Sequence, residues 1–599
     1  MWKRAALSHV LGCCALPSSF GWPDPGIGDK RRPLLFNTVT YAYFFAAVFV
    51  VAWLLAPWRR LRLGFLLVSS YVFYAGWTFV GLDALRSAFP GWSGLLGSGS
   101  APFWKEVFQS IKYVPLLFCA TSIDFYLGVA LGRLTDPKRR KLLLLGTVIV
   151  NVGILVFFKY WNWGADTFTW VMSALFGVEI GDIHLRVELP IGISFFCFMS
   201  LSYVIDVYRG TIPYCRSYLN YLTYISFFPH LVAGPIIRGR DLLPHLERNT
   251  HLTAETGGEG LFLIAAGLFK KVVIGDYIAV NFVDRVYAEP IRYSTVETLT
   301  AIYGYAVQVY CDFSGYSDVA IGSALLLGYR FKINFDAPYK SSNIVEFWRR
   351  WHISLSTWLR DYVYIALGGS RVGPIRKYVN ILLTMVICGI WHGAAWTFVI
   401  FGGFQGVGVA GTHWYHELLE GERVRWKLAG AAAVSLAAWA ATRYLALATG
   451  RPGLEVMMVI LIGGAWLVGA LVALAKWLAG RGYGRWIAHG ATVLGVISTF
   501  TFISLTFVLF RAANMDLASA MFMRLVSLTT FTPNLHRNVL LIIVGALVLQ
   551  WIPRSLYDRS REWFIRAPAP VQAVVLFGIA LALREAASAE AVPFVYFQF

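Results

Sequence analysis

The feature that most constrains this chain is a succession of long apolar runs. A helix that crosses a membrane needs about 20 predominantly apolar residues. Such runs recur from 36–57 and 63–80 through 142–163, 189–208 and 298–328 to 537–553 and 570–585. Their number predicts an all-α polytopic membrane protein of roughly 10–14 transmembrane helices, with little chain left for a soluble domain. Composition agrees, with 57% hydrophobic, 16% aromatic and only 14% charged residues, an apolar excess over ordinary globular usage.

A net charge of +19 raises nucleic acid as a partner. The Lys and Arg residues, however, lie in short intervals between apolar runs rather than on one helix face or tail, so nucleic acid is set aside in favour of membrane lipids and positive-inside bias. Arg59, Arg60 and Arg62 follow the first run, and Arg133, Lys138, Arg139, Arg140 and Lys141 follow the third. Both intervals belong in the cytoplasm, and the weakly charged 81–111 segment then faces outward. Seven cysteines without a Cys-x-x-Cys pair, most of them within apolar runs, form neither a disulfide framework nor a zinc knuckle and read as packing residues.

Along the chain, residues 1–33 read as a disordered or interfacial extension, compatible with a misassigned start, with ordered structure from near Leu34. Residues 218–246 place Pro229, Gly234 and Pro235 in an apolar setting, which predicts a broken or re-entrant element, because irregular backbone at membrane depth must be buried in protein or line a wet cavity. Lys270, Lys271, Asp276, Asp312 and Asp318 lie within apolar runs, where a charge costs about 2.5–3.5 kcal/mol. They are expected to face an aqueous cavity or a headgroup interface. The spans 429–449 and 456–479 carry almost no internal polar groups and read as scaffold, and the aromatic tail from Pro593 to Phe599 reads as an interfacial anchor.

Chemistry concentrates between Phe347 and Trp396, where Trp351-His352 and Trp391-His392 place two histidines in or beside apolar segments. On a continuous helix, Trp348 and Arg349 would neighbour His352, and with Trp358 and Tyr362 they form an amphipathic, aromatic segment of the interfacial kind. His392 closes a longer apolar run and is expected to be the better buried of the two. Acyl transfer to a hydroxyl needs a base for the hydroxyl proton and a stabiliser for the tetrahedral oxyanion. A neutral imidazole suits the first task, so His392 is the candidate base. A histidine packed in a helix bundle with its N–H on a carbonyl explains the same residue equally well. Cys388 and His392 form half of a metal site without a second pair, so no metal is expected.

Several ordered motifs carry a family resemblance. They are Leu35-Phe36-Asn37, Leu189-Pro190-Ile191-Gly192-Ile193-Ser194-Phe195-Phe196, Asp206-Val207-Tyr208-Arg209, Phe228-Pro229-His230 through Ala233-Gly234-Pro235, Gly267-Leu268-Phe269-Lys270-Lys271, Asp312-Phe313-Ser314-Gly315-Tyr316-Ser317-Asp318 and both Trp-His pairs. In these the chain resembles the bacterial branch of the membrane-bound O-acyltransferase family that modifies alginate, with teichoic acid D-alanyl transfer proteins as relatives. The resemblance implies a ring of tilted helices around a thin centre where a funnel or tunnel meets a catalytic histidine, which falls on His392. The family's second polar position falls on His352. It further implies acetyl-CoA as cytoplasmic donor, no bound cofactor, an extracytoplasmic partner of the SGNH hydrolase type and a polysaccharide acceptor at the bacterial inner membrane. Asn343, Arg349, Trp351, Asp361 and Trp391 are the accompanying substrate-binding candidates. Residues 34–420 are expected to form the core, 421–489 an additional helical hairpin and 490–599 the closing helices. D-alanyl transfer is the alternative within the class. A proton-coupled transporter is the alternative outside it, and it would call for repeated broken helices that the chain does not display.

Overall fold

A computed structural model describes residues 36–76, 111–232, 234–419, 424–478 and 484–586. The readings made above for 1–33, for most of 81–111 and for the aromatic tail lie outside those residues. Apart from one-turn segments, the chain forms α1 (Val39–Leu54), α2 (Arg59–Gly76), α3 (Val114–Arg133), α4 (Pro137–Phe176, with a π-helical turn at Val156–Tyr160), α5 (Ile193–Arg209), α6 (Tyr218–Ser226), α7 (Phe228–Leu231), α8 (Gly239–Leu246), α9 (Ala254–Leu268, continued in π geometry to Asp276), α10 (Thr295–Leu326), α11 (Ile344–Arg350), α12 (Ile353–Leu359), α13 (Pro374–His392), α14 (Trp396–Leu419), α15 (Val424–Thr449), α16 (Pro452–Leu478), α17 (Gly484–Arg511), α18 (Met515–Leu525), α19 (Arg537–Gln550), α20 (Arg554–Arg566) and α21 (Ala569–Ala586). No strand occurs among the described residues, as an all-α polytopic membrane protein requires.

Helix starts follow local chemistry. Asp136 precedes Pro137 and accepts hydrogen bonds from the Lys138 and Arg139 amides at 3.3 and 3.2 Å; proline at the first position gives up only an amide that would be unpaired anyway. Ser294 and Glu297 satisfy each other's backbone amides in a capping box that opens α10. That helix is buried along nearly its whole length, and α1, α7, α9 and α17 pack around it.

Among the described residues, six helices are long and apolar enough to cross a membrane, or seven if α19 and α20, bent by 94°, count as one span. That is fewer than the apolar runs predict. The run at 189–208 becomes α5, a helix of 17 residues of which 14 are buried, so its apolar side chains serve the protein interior. The 259–280 and 298–328 runs become α9 and α10, whose charges meet one another; the Lys271, Asp276 and Asp312 group is buried, while the Lys270–Asp318 pair stays partly exposed. Lys271 bonds Asp276 and Asp312 at 2.6 and 2.5 Å, and Lys270 bonds Asp318 at 2.5 Å. Paired charges avoid the insertion cost that led to the expectation of solvent. The 218–246 segment is broken, as its prolines and glycine predict, into α6 and α7, both largely buried, and the half-buried α8.

Five helix ends meet on one face. Arg62, in the first turn of α2, donates to the Leu327 carbonyl beyond α10 at 2.8 Å. Arg140, in the first turn of α4, donates to the Leu131 and Leu134 carbonyls ending α3, both at 3.0 Å, and to the Tyr208 carbonyl ending α5 at 2.8 Å. These cations cap carbonyls that have no partner within their helices. These arginines belong to the intervals that positive-inside bias leads one to expect in the cytoplasm; α4 runs away from the end that Arg140 caps, and α5 starts on the opposite side.

Candidate active site

His392 is the last residue of α13, which opens at Pro374 and turns back through Gly393 into α14. The two helices touch where side chains are absent. A Cβ on Gly389 would lie 2.2 Å from the Phe398 carbonyl oxygen, and one on Gly402 2.4 Å from that of Met385. Small residues of this kind let membrane helices approach backbone to backbone, and here they hold the His392 turn against α14.

The carbonyls at the end of α13 are captured by α4. Lys159 Nζ donates to the Trp391 and His392 carbonyls at 2.6 and 3.0 Å, and the Tyr160 hydroxyl donates to that of Ile390 at 3.0 Å. The π-helical turn at Val156–Tyr160 presents both residues; such turns interrupt the regular hydrogen-bond ladder and are common at functional sites. A cation at a helix C-terminus also meets the negative end of its dipole. Lys159 was not singled out from the sequence, although it is the one charged residue in the run 142–163.

His352 does not sit on a continuous helix. It is the residue between α11 and α12, with φ of 41°, so Trp348 and Arg349 are not stacked above it. It is fully buried, at 0% exposure against 4% for His392, which reverses the expected order. The residue that precedes a short helix at a sharp turn is carried inward here, whereas the amphipathic reading assumed an unbroken helix at the surface. A left-handed backbone in a bulky residue costs on the order of 1–3 kcal/mol and persists where surroundings impose it. Asn334 imposes it here. Its carbonyl accepts from Ile353 N at 2.9 Å, and its Oδ1 accepts from Ser354 N at 3.1 Å and from the Ser354 hydroxyl at 2.9 Å.

The same residues fix the imidazole tautomer. His352 Nδ1 lies 3.3 Å from Asn334 Oδ1 and 3.4 Å from Ser354 Oγ. Oδ1 must be the amide oxygen because a backbone N–H donates to it, and the Ser354 proton is already committed to it. Both neighbours of Nδ1 are therefore acceptors, so the proton sits on Nδ1 and the lone pair on Nε2. That Nε2 is buried without a hydrogen-bond partner among the described residues.

Trp391 joins the two histidines. Its ring centroid is 4.9 Å from that of His392 and 5.9 Å from that of His352. Phe510 stands 5.0 Å from the His392 ring, Phe313 4.7 Å from the His352 ring, and Cys388 Sγ 3.9 Å from His392 Nε2. A cavity of about 130 Å³ touches His392, Trp391 and Lys159 and is walled by Leu189–Phe195 and Val232. The Leu189–Phe195 wall precedes and begins α5, so the cavity lies at the end of α5 opposite to the one that Arg140 caps.

The other candidates separate. Trp391 lines the cavity. Trp351 is buried among Phe335, Phe347 and Phe507, at 5.1, 5.4 and 5.6 Å, in a second apolar cluster away from the cavity walls. Asn343 caps α11 by accepting from Glu346 N at 2.9 Å. Arg349 is exposed. Asp361 pairs with Arg238 at 2.6 Å and Arg360 at 2.8 Å, while its carbonyl takes Arg209 at 3.1 Å. Burial alone would raise the Asp361 carboxyl, but its bonds to Arg360 and Arg238 hold it below the usual carboxylate range. An aromatic stack connects this cluster to the site, with Trp358 5.1 Å from Tyr362, Phe198 3.8 Å from Trp358 and Trp391 5.6 Å from Phe198.

Residues 193–447, which include both histidines, match the family model of membrane-bound O-acyltransferases. A probable alginate O-acetylase of Azotobacter vinelandii is 40% identical over 381 residues, 63% of this chain and 68% of the relative. A peptidoglycan O-acetyltransferase of Helicobacter pylori is 34% identical over 52% of this chain and 62% of its own length. A teichoic acid D-alanyltransferase of Bacillus subtilis is 29% identical over 36% of this chain and 57% of its own length. With two buried histidines meeting one tryptophan beside a cavity in an all-helical membrane scaffold, the chain belongs to the membrane-bound O-acyltransferase family and is an O-acyltransferase.

Proposed function

We propose that this protein is an inner-membrane O-acetyltransferase subunit that takes acetyl groups from acetyl-CoA on the cytoplasmic side and delivers them to hydroxyls of an extracytoplasmic, alginate-like polysaccharide, directly or through an SGNH-type partner. The observation that carries this reading is the convergence of His392 and His352 on the Trp391 ring, with a cavity lined by His392 and Trp391. The higher identity to O-acetylating relatives than to the D-alanyl one supports acetyl over D-alanyl transfer.

In this reading His392 is the general base. It takes the proton of the acceptor hydroxyl as the hydroxyl oxygen bonds to the thioester carbonyl carbon. The tetrahedral oxyanion then collapses, the C–S bond breaks, and the imidazolium returns its proton to the departing thiolate. Such a base contributes about 10²- to 10⁴-fold. His352, with Nδ1–H held by Asn334 and Ser354, offers Nε2 as an acceptor to a neighbouring hydroxyl of the incoming sugar. Polymer acetylation is the readout: His392→Ala should lose it by at least about 10²-fold at unchanged membrane abundance. Wild-type acetylation in that variant would remove His392 from the chemistry.

A further inference from the structure

The reaction above needs a donor for the oxyanion, and neither histidine supplies one while His392 holds the hydroxyl proton and His352 carries its proton on Nδ1 beside Asn334. Trp391 carries an unused donor. Its indole Nε1–H is buried and has no hydrogen-bond acceptor among the described residues, although the side chain is only 4% exposed. Buried indole N–H groups nearly always find an acceptor, because leaving one unpaired costs about 1–3 kcal/mol. A donor kept in that state beside a cavity lacks an acceptor that arrives with a ligand.

Position narrows the ligand. Trp391 is adjacent to His392 in sequence, its ring lies 4.9 Å from the imidazole, and both residues line the same cavity. Its ring is clamped by Phe195 and Phe198, each 5.6 Å away, and its own carbonyl is held by Lys159 at 2.6 Å. The indole is thus fixed at both its ring and its backbone, so little reorganisation accompanies a hydrogen bond formed during the reaction. A donor-only group matches an acceptor-only oxygen, and the thioester carbonyl oxygen is one. The hydroxyl is the other candidate, but its oxygen loses negative character as it bonds to carbon, whereas the carbonyl oxygen gains it. A hydrogen bond that strengthens toward the transition state belongs on the carbonyl.

We infer that Trp391 is a catalytic residue whose indole N–H donates to the thioester carbonyl oxygen and stabilises the oxyanion formed when the acceptor hydroxyl adds. This rests on the acyl-transfer reading with His392 as base. No atom is exchanged with Trp391: the carbonyl π pair moves onto oxygen as the C–O bond forms and returns as the C–S bond breaks, with the indole proton staying on nitrogen throughout.

The test removes the N–H and keeps the ring. In membrane vesicles bearing the full chain, with radiolabelled acetyl-CoA and an alginate oligosaccharide as probes, Trp391→Phe should lower kcat by about 10²- to 10³-fold with KM for acetyl-CoA nearly unchanged. Because phenylalanine also changes shape, the indole is replaced in parallel by β-benzothienylalanine, in which sulfur stands for N–H. An equal loss in that protein supports the assignment. Activity near wild type in either protein overturns it, since neither can donate. His392→Ala assayed alongside separates the two ideas: if it is inactive while a Trp391 replacement is active, only the oxyanion assignment fails. If His392→Ala is itself active, the acyl-transfer role of His392 fails first.

Discussion

At the scale of single residues, the most consequential side chain after the histidines is Asn334. It lies 18 residues before His352 in the chain, yet it imposes the histidine's left-handed backbone and its tautomer together. Its Nδ2 in turn donates to Ser317 Oγ at 3.3 Å, which ties the turn to α10. Asn334→Ala would leave the Ser354 amide and His352 Nδ1–H short of an acceptor, at about 1–3 kcal/mol. A shift of the imidazole by an ångström can cost up to about 10²-fold in rate. The expected outcome is a fall in kcat much larger than any change in KM, with Asn334→Asp, which keeps the acceptor, recovering most of it; equal activity of the alanine and aspartate variants would show that the acceptor does not matter. This arrangement explains what could be foreseen. The two Trp-His pairs stand out as polar groups in apolar sequence, but nothing near His352 announces that its partner comes from a distant loop. Lys159 was missed for the opposite reason, since one cation in a long apolar run reads as an ordinary span until its neighbours are known.

At the scale of elements, the α13–α14 hairpin holds His392 by close backbone approach, and this makes its glycines more demanding than the residues of the site itself. Gly389→Ala would drive a methyl into the Phe398 carbonyl at 2.2 Å. The helices must separate, at about 1–3 kcal/mol for an overpacked contact, and the base moves with them. Thermal unfolding and acetylation should therefore fall together in Gly389→Ala, while alanine at Gly403, which meets nothing within 4 Å, should leave both unchanged. The far end of α4 has a different fastening. His184, in the exposed loop before α5, lies between Asp182 at 2.6 Å and Asp166 at 2.7 Å, and bonds to Asp182 first and Asp166 second raise its pKa. A raised value means that the fastening is complete below the ordinary imidazole pKa of about 6.5 and is lost as pH climbs through the folded value. Amide exchange over residues 177–192, corrected for its intrinsic pH dependence, should accelerate above neutrality, and His184→Gln should abolish that pH dependence. The break in the 218–246 segment was legible from its prolines and glycine. The number of spans was not, because an apolar run such as 189–208 looks the same whether it faces lipid or other helices.

At the scale of the whole molecule, the proposed reaction brings two substrates from opposite sides, and the helix ends define the two sides. Arg62 and Arg140 join five helix ends on one face, and Arg209, at the end of α5, brings Asp361 to the same level. From Asp361 to His352 the chain runs back through a π-helical turn and α12 to the turn that holds the histidine. From the other side, the cavity at Trp391 and His392 is walled by the loop leading into α5. The proposed relay between a thioester donor and an external polymer would meet at this cavity, beside His392 and Trp391. Everything in this geometry depends on which face is which, and a single pair of cysteines decides it. Once the native cysteines are replaced, Arg139→Cys, in the first turn of α4, should react with a membrane-impermeant maleimide only after cells are permeabilised. His184→Cys, in the loop at the far end of the same helix, should react in intact cells. Labelling of position 139 from outside would invert the molecule, place the His392 cavity on the donor's side, and leave the acceptor polymer without a route to the base.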